Sequence, residues 1–180
     1  MARTIKIISS VLLVLFLGLF TLCFFFENDT LLSITITVGV FAYHFIMRLA
    51  VGIILNAILK NKVNYNAYWF REKSFEAKLY AFLRVKKWKK YMPTFSPETF
   101  NVKERTLEEI ASTTCQSEII HEVIMALSYL PILLAIPFGT IGVFIATSIL
   151  ASFVDAIFVT MQRFNRPRLV KLIARKNKII

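Results

Sequence analysis

The sequence predicts an all-α membrane protein with four transmembrane helices, and three observations support that class. Of the 180 residues, 57% are hydrophobic and only 18% are charged, against roughly 45–50% and 25% in soluble domains. Four apolar stretches reach the roughly 20 residues that a helix needs to cross about 30 Å of hydrocarbon. Nearly all basic residues lie outside those stretches. This composition argues against a soluble enzyme, and the 17 Phe argue against a disordered chain.

The four predicted spans come in two closely joined pairs. Spans one and two cover residues 7–26 and 31–59, and spans three and four cover residues 119–138 and 141–161. The connection within each pair is short and contains no Lys or Arg. A signal peptide is the alternative for span one, but its apolar core is too long and no A-x-A-like cleavage site follows, which favours an uncleaved helix. We expect residues 1–180 to form a single membrane domain.

The positions of the 22 basic residues predict the orientation of the chain. Two precede span one, twelve lie in residues 60–118 and seven lie in the tail of residues 162–180, which leaves only Arg48 within a span. Cytoplasmic loops of membrane proteins carry the excess of Lys and Arg. We therefore expect a multi-pass protein of the cell membrane with both termini in the cytoplasm. Membrane topology accounts for the net charge of +11, and nucleic acid is a poor partner because no recognised binding motif appears.

The segment of residues 60–118 is predicted to lie on the cytoplasmic surface of the membrane. Aromatic and basic residues interleave over residues 68–91, as in an amphipathic helix lying in the headgroup plane, where Trp and Tyr are favoured and Lys can snorkel. One face of that helix, at helical spacing, holds Phe75, Leu79, Phe82 and Lys86. Residues 104–116 form a second, polar helix candidate that leads into span three.

Three polar residues within the spans are candidates for function. His44 and Arg48 lie four residues apart on span two, and Asp155 lies on span four. Because a charge at this depth costs about 2.5–3.5 kcal/mol, such residues usually face the protein interior and serve a purpose. For Arg48 and Asp155 the alternatives are a structural ion pair between the two spans and a substrate-lining role. His44 is better explained as an interior hydrogen-bonding group.

A further candidate site lies at the start of span three. Glu118 and His121 are three residues apart and share a helix face, and Glu122 follows directly. A carboxylate that orients an imidazole is a common general-base arrangement. The structural alternative is a His and two Glu at the wet end of a helix. Met125 stands where an H-E-x-x-H motif needs its second His, so the pattern does not support metal binding.

The tail opens with an arginine-rich stretch at residues 162–168, in which three Arg surround Asn165 and Pro167. We expect a turn here, stiffened by Pro167, whose guanidiniums can fork onto phosphate or carboxylate oxygens. The alternative is an ordinary positive-inside anchor. The Gln, Asn and Pro among the arginines favour a binding site over an anchor.

Three stretches, in this order, resemble one small membrane family. They are R-V-K-K-W-K-K-Y-M-P at residues 84–93, E-I-I-H at residues 118–121 and Q-R-F-N-R-P-R-L at residues 162–169. The chain is similar here to the glycosyl-4,4′-diaponeurosporenoate acyltransferase family, and the last stretch, which resembles QRYNRPRL with Phe for Tyr, is the most specific. The resemblance covers roughly residues 69–172.

The chain departs from the family pattern at three positions. Glu122 stands where the family often has Trp, and Asp155 and Ile157 stand where it tends to have Asn and Pro. The two added carboxylates leave open an acceptor other than the carotenoid glucoside of the family's namesake.

The resemblance implies a membrane acyltransferase that moves a fatty acyl group from acyl-CoA to a hydroxyl of a lipophilic glycoside. On this hypothesis His121, oriented by Glu118, deprotonates the hydroxyl, and Asn165 donates to the developing oxyanion. The residues expected to hold the donor phosphates are Arg163, Arg166, Arg168, Lys86, Lys87 and Lys89. We expect no metal and no cofactor besides the acyl-CoA co-substrate. The expected partners are membrane lipids, the donor, the acceptor and other enzymes of the pathway.

Two other functions remain open. One is a non-enzymatic four-helix membrane subunit or scaffold whose basic face recruits anionic lipid. The other is a related enzyme that acylates a different glycolipid or a polyprenyl-linked sugar. A transporter is less consistent with four spans and no pair of broken helices.

Overall fold

The computed structural model describes residues 2–93, 97–139 and 141–179, and every regular element in those ranges is helical. The α-helices are α1 (Ala2–Phe25), α2 (Asp29–Leu59), α3 (Glu76–Phe82), α4 (Val85–Trp88), α5 (Leu107–Leu127), α6 (Ala135–Phe138) and α7 (Ile141–Ile179). Short 3-10 helices lie at Tyr68–Phe70, Lys89–Tyr91, Pro97–Phe100 and Leu130–Leu134. Residues 94–96 of the predicted surface segment, Thr140 of the second connection and Ile180 of the tail lie outside the described residues.

Within the described ranges, four helical stretches are long and apolar enough to cross a membrane. They are Arg3–Phe25, Asp29–Leu59, Leu107–Phe138 and Ile141–Lys178. This confirms the all-α class and the four predicted spans. Large apolar side chains on α1, among them Val14, Phe24 and Phe25, are exposed, as expected for a helix surrounded by lipid.

Side-chain caps set the starts of two of these helices. Asn28 Oδ1 accepts hydrogen bonds from the backbone N–H groups of Thr30 at 2.9 Å and Leu31 at 3.0 Å, which caps α2. Thr106 and Glu109 form a reciprocal capping box before α5: Thr106 Oγ1 accepts from the Glu109 N–H at 3.2 Å, and Glu109 Oε2 accepts from the Thr106 N–H at 2.8 Å. Each cap satisfies backbone donors that the first helical turn leaves unpaired.

Span three differs from the predicted single helix over residues 119–138. α5 begins at Leu107, so the polar helix expected over residues 104–116 and the first part of span three form one continuous helix. The rest of the span is a 3-10 helix and the short α6. Pro131 explains the change, because proline has no N–H to donate to the α-helical ladder.

The turn expected at residues 162–168 is wrong, because α7 runs through Pro167 without ending. Proline removes the backbone bond to the carbonyl one turn earlier, that of Arg163. Tertiary contacts of the Arg163 and Arg166 side chains, given below, hold this part of the helix in place. Span four and the basic tail are therefore one helix of 39 residues.

The single amphipathic helix expected through Lys86 does not form. α3 ends at Phe82 and α4 begins after Arg84, whose φ of 50° and ψ of 39° are left-handed. A left-handed residue ends an α-helix because it turns the backbone out of the ladder. Glu76 and Tyr80 form the buried face of α3. Its exposed apolar side chains are Phe75, Leu79 and Phe82.

Cα packing divides the chain into two compact units. The first unit contains Met1–Gly52 and Val123–Val154, and the second contains Ile53–Glu122 and Asp155–Ile180. The single membrane domain expected from the sequence stays a prediction. So does the ion pair between Arg48 and Asp155, which are assigned to different units.

Close helix packing in the first unit depends on Gly39. A Cβ at this position of α2 would lie 2.7 Å from the ring of Phe16 on α1, so a larger residue would force the Phe16 ring to move. Arg48 donates to the carbonyl oxygens of His44 at 3.1 Å and Ala151 at 3.0 Å. The buried His44 ring packs edge-on against Tyr43 with the centroids 5.5 Å apart.

Polar contacts tie the end of α2 to α5 within the second unit. Gln116 accepts from the Asn61 backbone N–H at 2.7 Å and donates to Asn56 at 2.5 Å. Ser112 donates to the Asn61 carbonyl at 2.6 Å. Asn61 has a φ of 55°, a conformation that Asn tolerates better than most residues. These bonds satisfy the backbone where the chain leaves α2 for the surface segment.

Candidate active site

His121 and Asp155 form a hydrogen-bonded pair in the second unit. His121 lies on α5 and Asp155 on α7, and His121 Nδ1 is 2.8 Å from Asp155 Oδ1. Asp155 is buried, whereas the side chain of His121 is 21% exposed. The His121 ring stacks on Phe158 with the centroids 4.7 Å apart and the planes 5° from parallel. The carboxylate and the stacked ring fix the imidazole, so Nε2 is the nitrogen that can meet a substrate.

Glu118 does not orient His121, contrary to the prediction from their spacing. Its side chain is fully buried, and its carboxylate accepts hydrogen bonds from Arg163 Nη1 at 2.6 Å and from Arg166 Nη2. A buried carboxylate is stabilised more by two permanently charged guanidiniums than by an imidazole that can be neutral. Asp155, which the sequence analysis singled out for other reasons, takes the orienting position instead.

Four charged side chains, Glu76, Glu118, Arg163 and Arg166, make up a buried charge cluster. Arg163 donates to Glu76 Oε1 through Nη2 at 2.5 Å and Nε at 2.8 Å. Two carboxylates thus balance two guanidiniums, which offsets the desolvation cost of burying them. Tyr80 donates to Glu76 Oε2 at 2.9 Å. Burial, and then this bond to Glu76, raise the pKa of Tyr80, so the phenol stays protonated as a donor.

The two arginines of the cluster also hold the 3-10 helix Tyr68–Phe70. Arg163 Nη1 donates to the Trp69 carbonyl at 3.2 Å, and Arg166 Nη1 donates to the Phe70 carbonyl at 3.2 Å. The Arg166 guanidinium also lies over the Phe70 ring, 4.8 Å from its centroid. The charge cluster therefore fixes the backbone of this segment as well as its own side chains.

Trp69 reaches from that segment to the residue next to His121. Its indole Nε1 donates to both carboxylate oxygens of Glu122, at 3.1 Å and 3.3 Å. Glu122 is the residue that stands where the resemblance leads us to expect Trp. In this chain a tryptophan from another segment binds the side chain at that position.

Two of the predicted phosphate-binding arginines are already paired with carboxylates. Arg163 and Arg166 are largely buried in the charge cluster, and a role in holding donor phosphates does not follow from this arrangement. Lys86 and Lys87, in contrast, are exposed beside an open cavity of about 580 Å³ that Lys90 also lines.

Lys89 and Arg168 lie over the ring of Phe164, and Lys89 also binds Asn165. Lys89 Nζ donates to Asn165 Oδ1 at 2.5 Å, and the Lys89 and Arg168 cations lie 4.8 Å and 4.2 Å from the Phe164 centroid. Asn165 is ten residues beyond Asp155 on α7, which is about 15 Å along a helix. That separation argues against the predicted role of Asn165 as oxyanion donor to a carbonyl at His121, because both groups would have to lie about 3 Å from the reacting atoms.

A protein-family model described as glycosyl-4,4′-diaponeurosporenoate acyltransferase matches residues 66–175, which is more than half of the chain. The chain belongs to this acyltransferase family. The match includes His121, Asp155 and the whole buried charge cluster, whereas His44 and Arg48 lie outside it. Comparison with curated proteins and with solved structures gave no match, so the family model alone carries the assignment.

Several residues of this family member's site were not singled out by the sequence analysis. Glu76 is one acidic residue in a long charged segment, and nothing in its neighbours marks it as a partner of Arg163. Phe158 is one of 17 Phe. A stretch of aromatic residues drew attention to Trp69, but not to its bond with Glu122. In the described part of the chain, no three His, Cys, Asp or Glu side chains are grouped to hold a metal ion.

Proposed function

We propose that this protein transfers a fatty acyl group from an acyl-CoA thioester to a hydroxyl of a lipophilic glycoside, as in carotenoid glycoside biosynthesis. Membership of the acyltransferase family supports the reaction class. The observation that carries the proposal is the hydrogen bond from His121 Nδ1 to the buried Asp155, on a histidine whose side chain is still partly exposed.

His121 acts as the general base of the transfer. With its Nδ1–H donated to Asp155, the lone pair on Nε2 accepts the proton of the acceptor hydroxyl as that oxygen attacks the thioester carbonyl. The new C–O bond forms and the C–S bond breaks, and the imidazolium then returns its proton to the leaving thiolate. The products are an ester and free coenzyme A.

Asp155 stabilises the positive charge that His121 gains during this step. A buried carboxylate on Nδ1 holds the imidazole in the tautomer with a free Nε2 and interacts more strongly with the imidazolium than with the neutral ring. The same division of work between a base and its orienting carboxylate occurs in Ser-His-Asp hydrolases.

The reaction takes place at the cytoplasmic face of the cell membrane on this proposal. Support comes from the basic residues, which concentrate in the predicted cytoplasmic segments. Acyl-CoA reaches His121 from the cytoplasm, and the acceptor glycoside comes from the bilayer. The acceptor is a carotenoid glucoside or another glycolipid, and product analysis decides between them.

Two substitutions in the purified protein test the mechanism. In a micellar assay with acyl-CoA and the glycoside, we expect His121→Gln to lower kcat by about 10²–10⁴, the usual contribution of general-base catalysis. Asp155→Asn should lower kcat with little change in KM. The matched control is His44→Gln, which makes the same chemical change in the first unit and should keep most of the activity.

The rival function is a membrane scaffold whose exposed surface at Lys86, Lys87 and Lys90 recruits anionic lipid. It predicts that His121→Gln has no effect on lipid binding. Removal of the three lysines should instead weaken lipid binding in a salt-dependent manner. Wild-type activity in a folded His121→Gln variant would exclude the general-base mechanism. Absence of acyl transfer by the wild type, together with weaker lipid binding when the three lysines are removed, would favour the rival.

A further inference from the structure

Two cations of the second unit lie over one aromatic ring. Lys89 and Arg168 both approach the Phe164 ring. Among the contacts of the described residues, neither is paired with a carboxylate, whereas Arg163 and Arg166 each bind Glu118. The positive charge of this pair is therefore compensated less well than that of the neighbouring arginines.

The environment of Lys89 disfavours its positive charge. Burial, and then the charge of Arg168, lower the pKa of the Lys89 ammonium. An anion bound to both groups would relieve this repulsion and would be held by two charge-assisted contacts. Asn165 adds a third donor, because its Oδ1 accepts from Lys89 while its amide N–H groups can face a ligand.

Two members of this group, Asn165 and Arg168, line a cavity of about 260 Å³. Its polar lining includes Thr114, Asn165 and Arg168, and its apolar lining includes Phe100, Ile110 and Leu172. Typical small-molecule pockets measure about 300–1,000 Å³, so the cavity suits one end of a longer ligand. Its mixed lining fits a phosphate group attached to a less polar chain.

Residues of the cavity and of the catalytic pair lie at different heights along α7. Arg168 is 13 residues beyond Asp155 on α7, which is about 20 Å along a helix. A ligand with its phosphate at Arg168 and its reacting carbonyl at His121 therefore needs a long arm between the two groups. Coenzyme A thioesters have this layout, with the pantetheine arm between the thioester and the phosphates.

We propose that Lys89, Asn165 and Arg168 form a phosphate-binding site for a phosphorylated amphiphile, and that its occupant is the phosphate end of the acyl thioester that reacts at His121. The second part rests on the proposed function. A phospholipid headgroup offers the same phosphate chemistry, so the experiments below separate these two sources.

The first experiment compares two donors with the same thioester. Palmitoyl-CoA carries phosphates, and the palmitoyl thioester of N-acetylcysteamine carries none. In Lys89→Gln and Arg168→Gln, we expect kcat/KM for palmitoyl-CoA to fall about tenfold or more, the effect of losing one charge-assisted hydrogen bond. The value for the phosphate-free thioester should not change. Equal losses with both donors would overturn the proposal, because a phosphate site cannot affect a donor without phosphate.

Lys78→Gln is the matched control for this comparison. Lys78 is exposed on α3. Lys78→Gln makes the same change of charge without removing either cation that lies over the Phe164 ring. It should leave both values of kcat/KM as in the wild type. Arg168→Lys keeps the positive charge and should recover part of the palmitoyl-CoA activity, which distinguishes lost binding from lost folding. Loss of palmitoyl-CoA activity in Lys78→Gln equal to that in Lys89→Gln would overturn the assignment to this site.

The second experiment measures binding without turnover. Equilibrium dialysis of free coenzyme A against the full chain in micelles should show equal binding by the wild type and His121→Gln, and weaker binding by Lys89→Gln and Arg168→Gln. This pattern supports the site even if the wild type transfers no acyl group, a result that would contradict the proposed function alone. Unchanged coenzyme A binding in both site variants would overturn the donor assignment.

A lipid probe separates the two sources of phosphate. Dioleoyl phosphatidic acid, added to the same micelles, should bind the wild type and the two site variants equally if the site serves the donor. Loss of phosphatidic acid binding in the variants, with coenzyme A binding unchanged, would instead assign the site to a lipid headgroup. If neither probe responds to the substitutions, no phosphate site exists there.

Discussion

Glu118 determines the charge balance around the candidate site. It is fully buried and accepts hydrogen bonds from two arginines that lie on α7, while Glu76 from α3 completes the charge cluster. A buried ion pair contributes little net free energy when intact, but removal of one partner leaves the other charge uncompensated. The stability of the second unit should therefore depend strongly on this one carboxylate.

Glu118→Gln tests that dependence, with Glu109→Gln on the same helix as the control. Loss of the buried carboxylate should lower the free energy of unfolding by about 3–5 kcal/mol, because Arg166 loses its carboxylate partner and Arg163 keeps only Glu76. Glu109 makes an exposed ion pair with Arg105 at 3.8 Å, worth about 0–1 kcal/mol, and Gln can still serve in the capping box. Thermal unfolding in detergent measures both. Equal shifts for the two variants would contradict the role given to Glu118.

Sequence reasoning singled out both residues of the candidate site but not their pairing. His121 was recognisable from the acidic residues beside it, and Asp155 from its charge within an apolar span. Their hydrogen bond joins residues 34 positions apart and depends on how α5 packs against α7. Helix periodicity describes one helix at a time, so it favoured Glu118, the carboxylate on the same helix face as His121.

At the level of elements, the break between α3 and α4 separates the buried face around Glu76 from the exposed lysines. Helical spacing of apolar residues from Phe75 to Phe82 predicted one amphipathic helix here, and no Gly or Pro interrupts residues 74–91. The break occurs at Arg84, in the left-handed conformation. The left-handed conformation costs a non-glycine residue roughly 1–2 kcal/mol, and tertiary contacts must offset that cost. For this reason the break was not predictable from propensity.

Arg84→Gly and Arg84→Val form a matched pair that tests the backbone conformation. Glycine adopts a positive φ without steric cost, so Arg84→Gly should keep or raise the melting temperature. Valine is branched at Cβ and should destabilise the fold by about 1–2 kcal/mol more than glycine. Thermal unfolding of the two variants measures the difference. If valine is tolerated as well as glycine, residue 84 is not left-handed.

For the molecule as a whole, the sequence predicted best the features that many residues determine together. Each span is defined by about 20 apolar residues, so single exceptions such as Arg48 do not change the prediction. The second unit depends instead on a few specific polar contacts, for example Gln116 with Asn56 and Asn61. Long-range contacts of this kind leave no periodic signal in the sequence.

The predicted orientation can be tested by labelling single cysteines. In a variant without Cys23 and Cys115, Glu27→Cys in the connection between α1 and α2 should react with a membrane-impermeant maleimide on intact cells. Lys178→Cys, near the end of α7, should react only after the membrane is opened. Both positions are exposed in the structure. The reverse labelling pattern would place the basic segments and the candidate site outside the cell.

The contact between Trp69 and Glu122 also gives the protein an internal optical probe. The chain has two Trp, and the indole of Trp69 is hydrogen-bonded to the residue adjacent to His121. Its ring is 60% exposed, so its emission depends on whether water or an apolar ligand surrounds it. In a Trp88→Phe background all tryptophan fluorescence comes from this one position. Binding of an acyl chain against the Trp69 ring then becomes visible as a change of emission wavelength, without any attached dye.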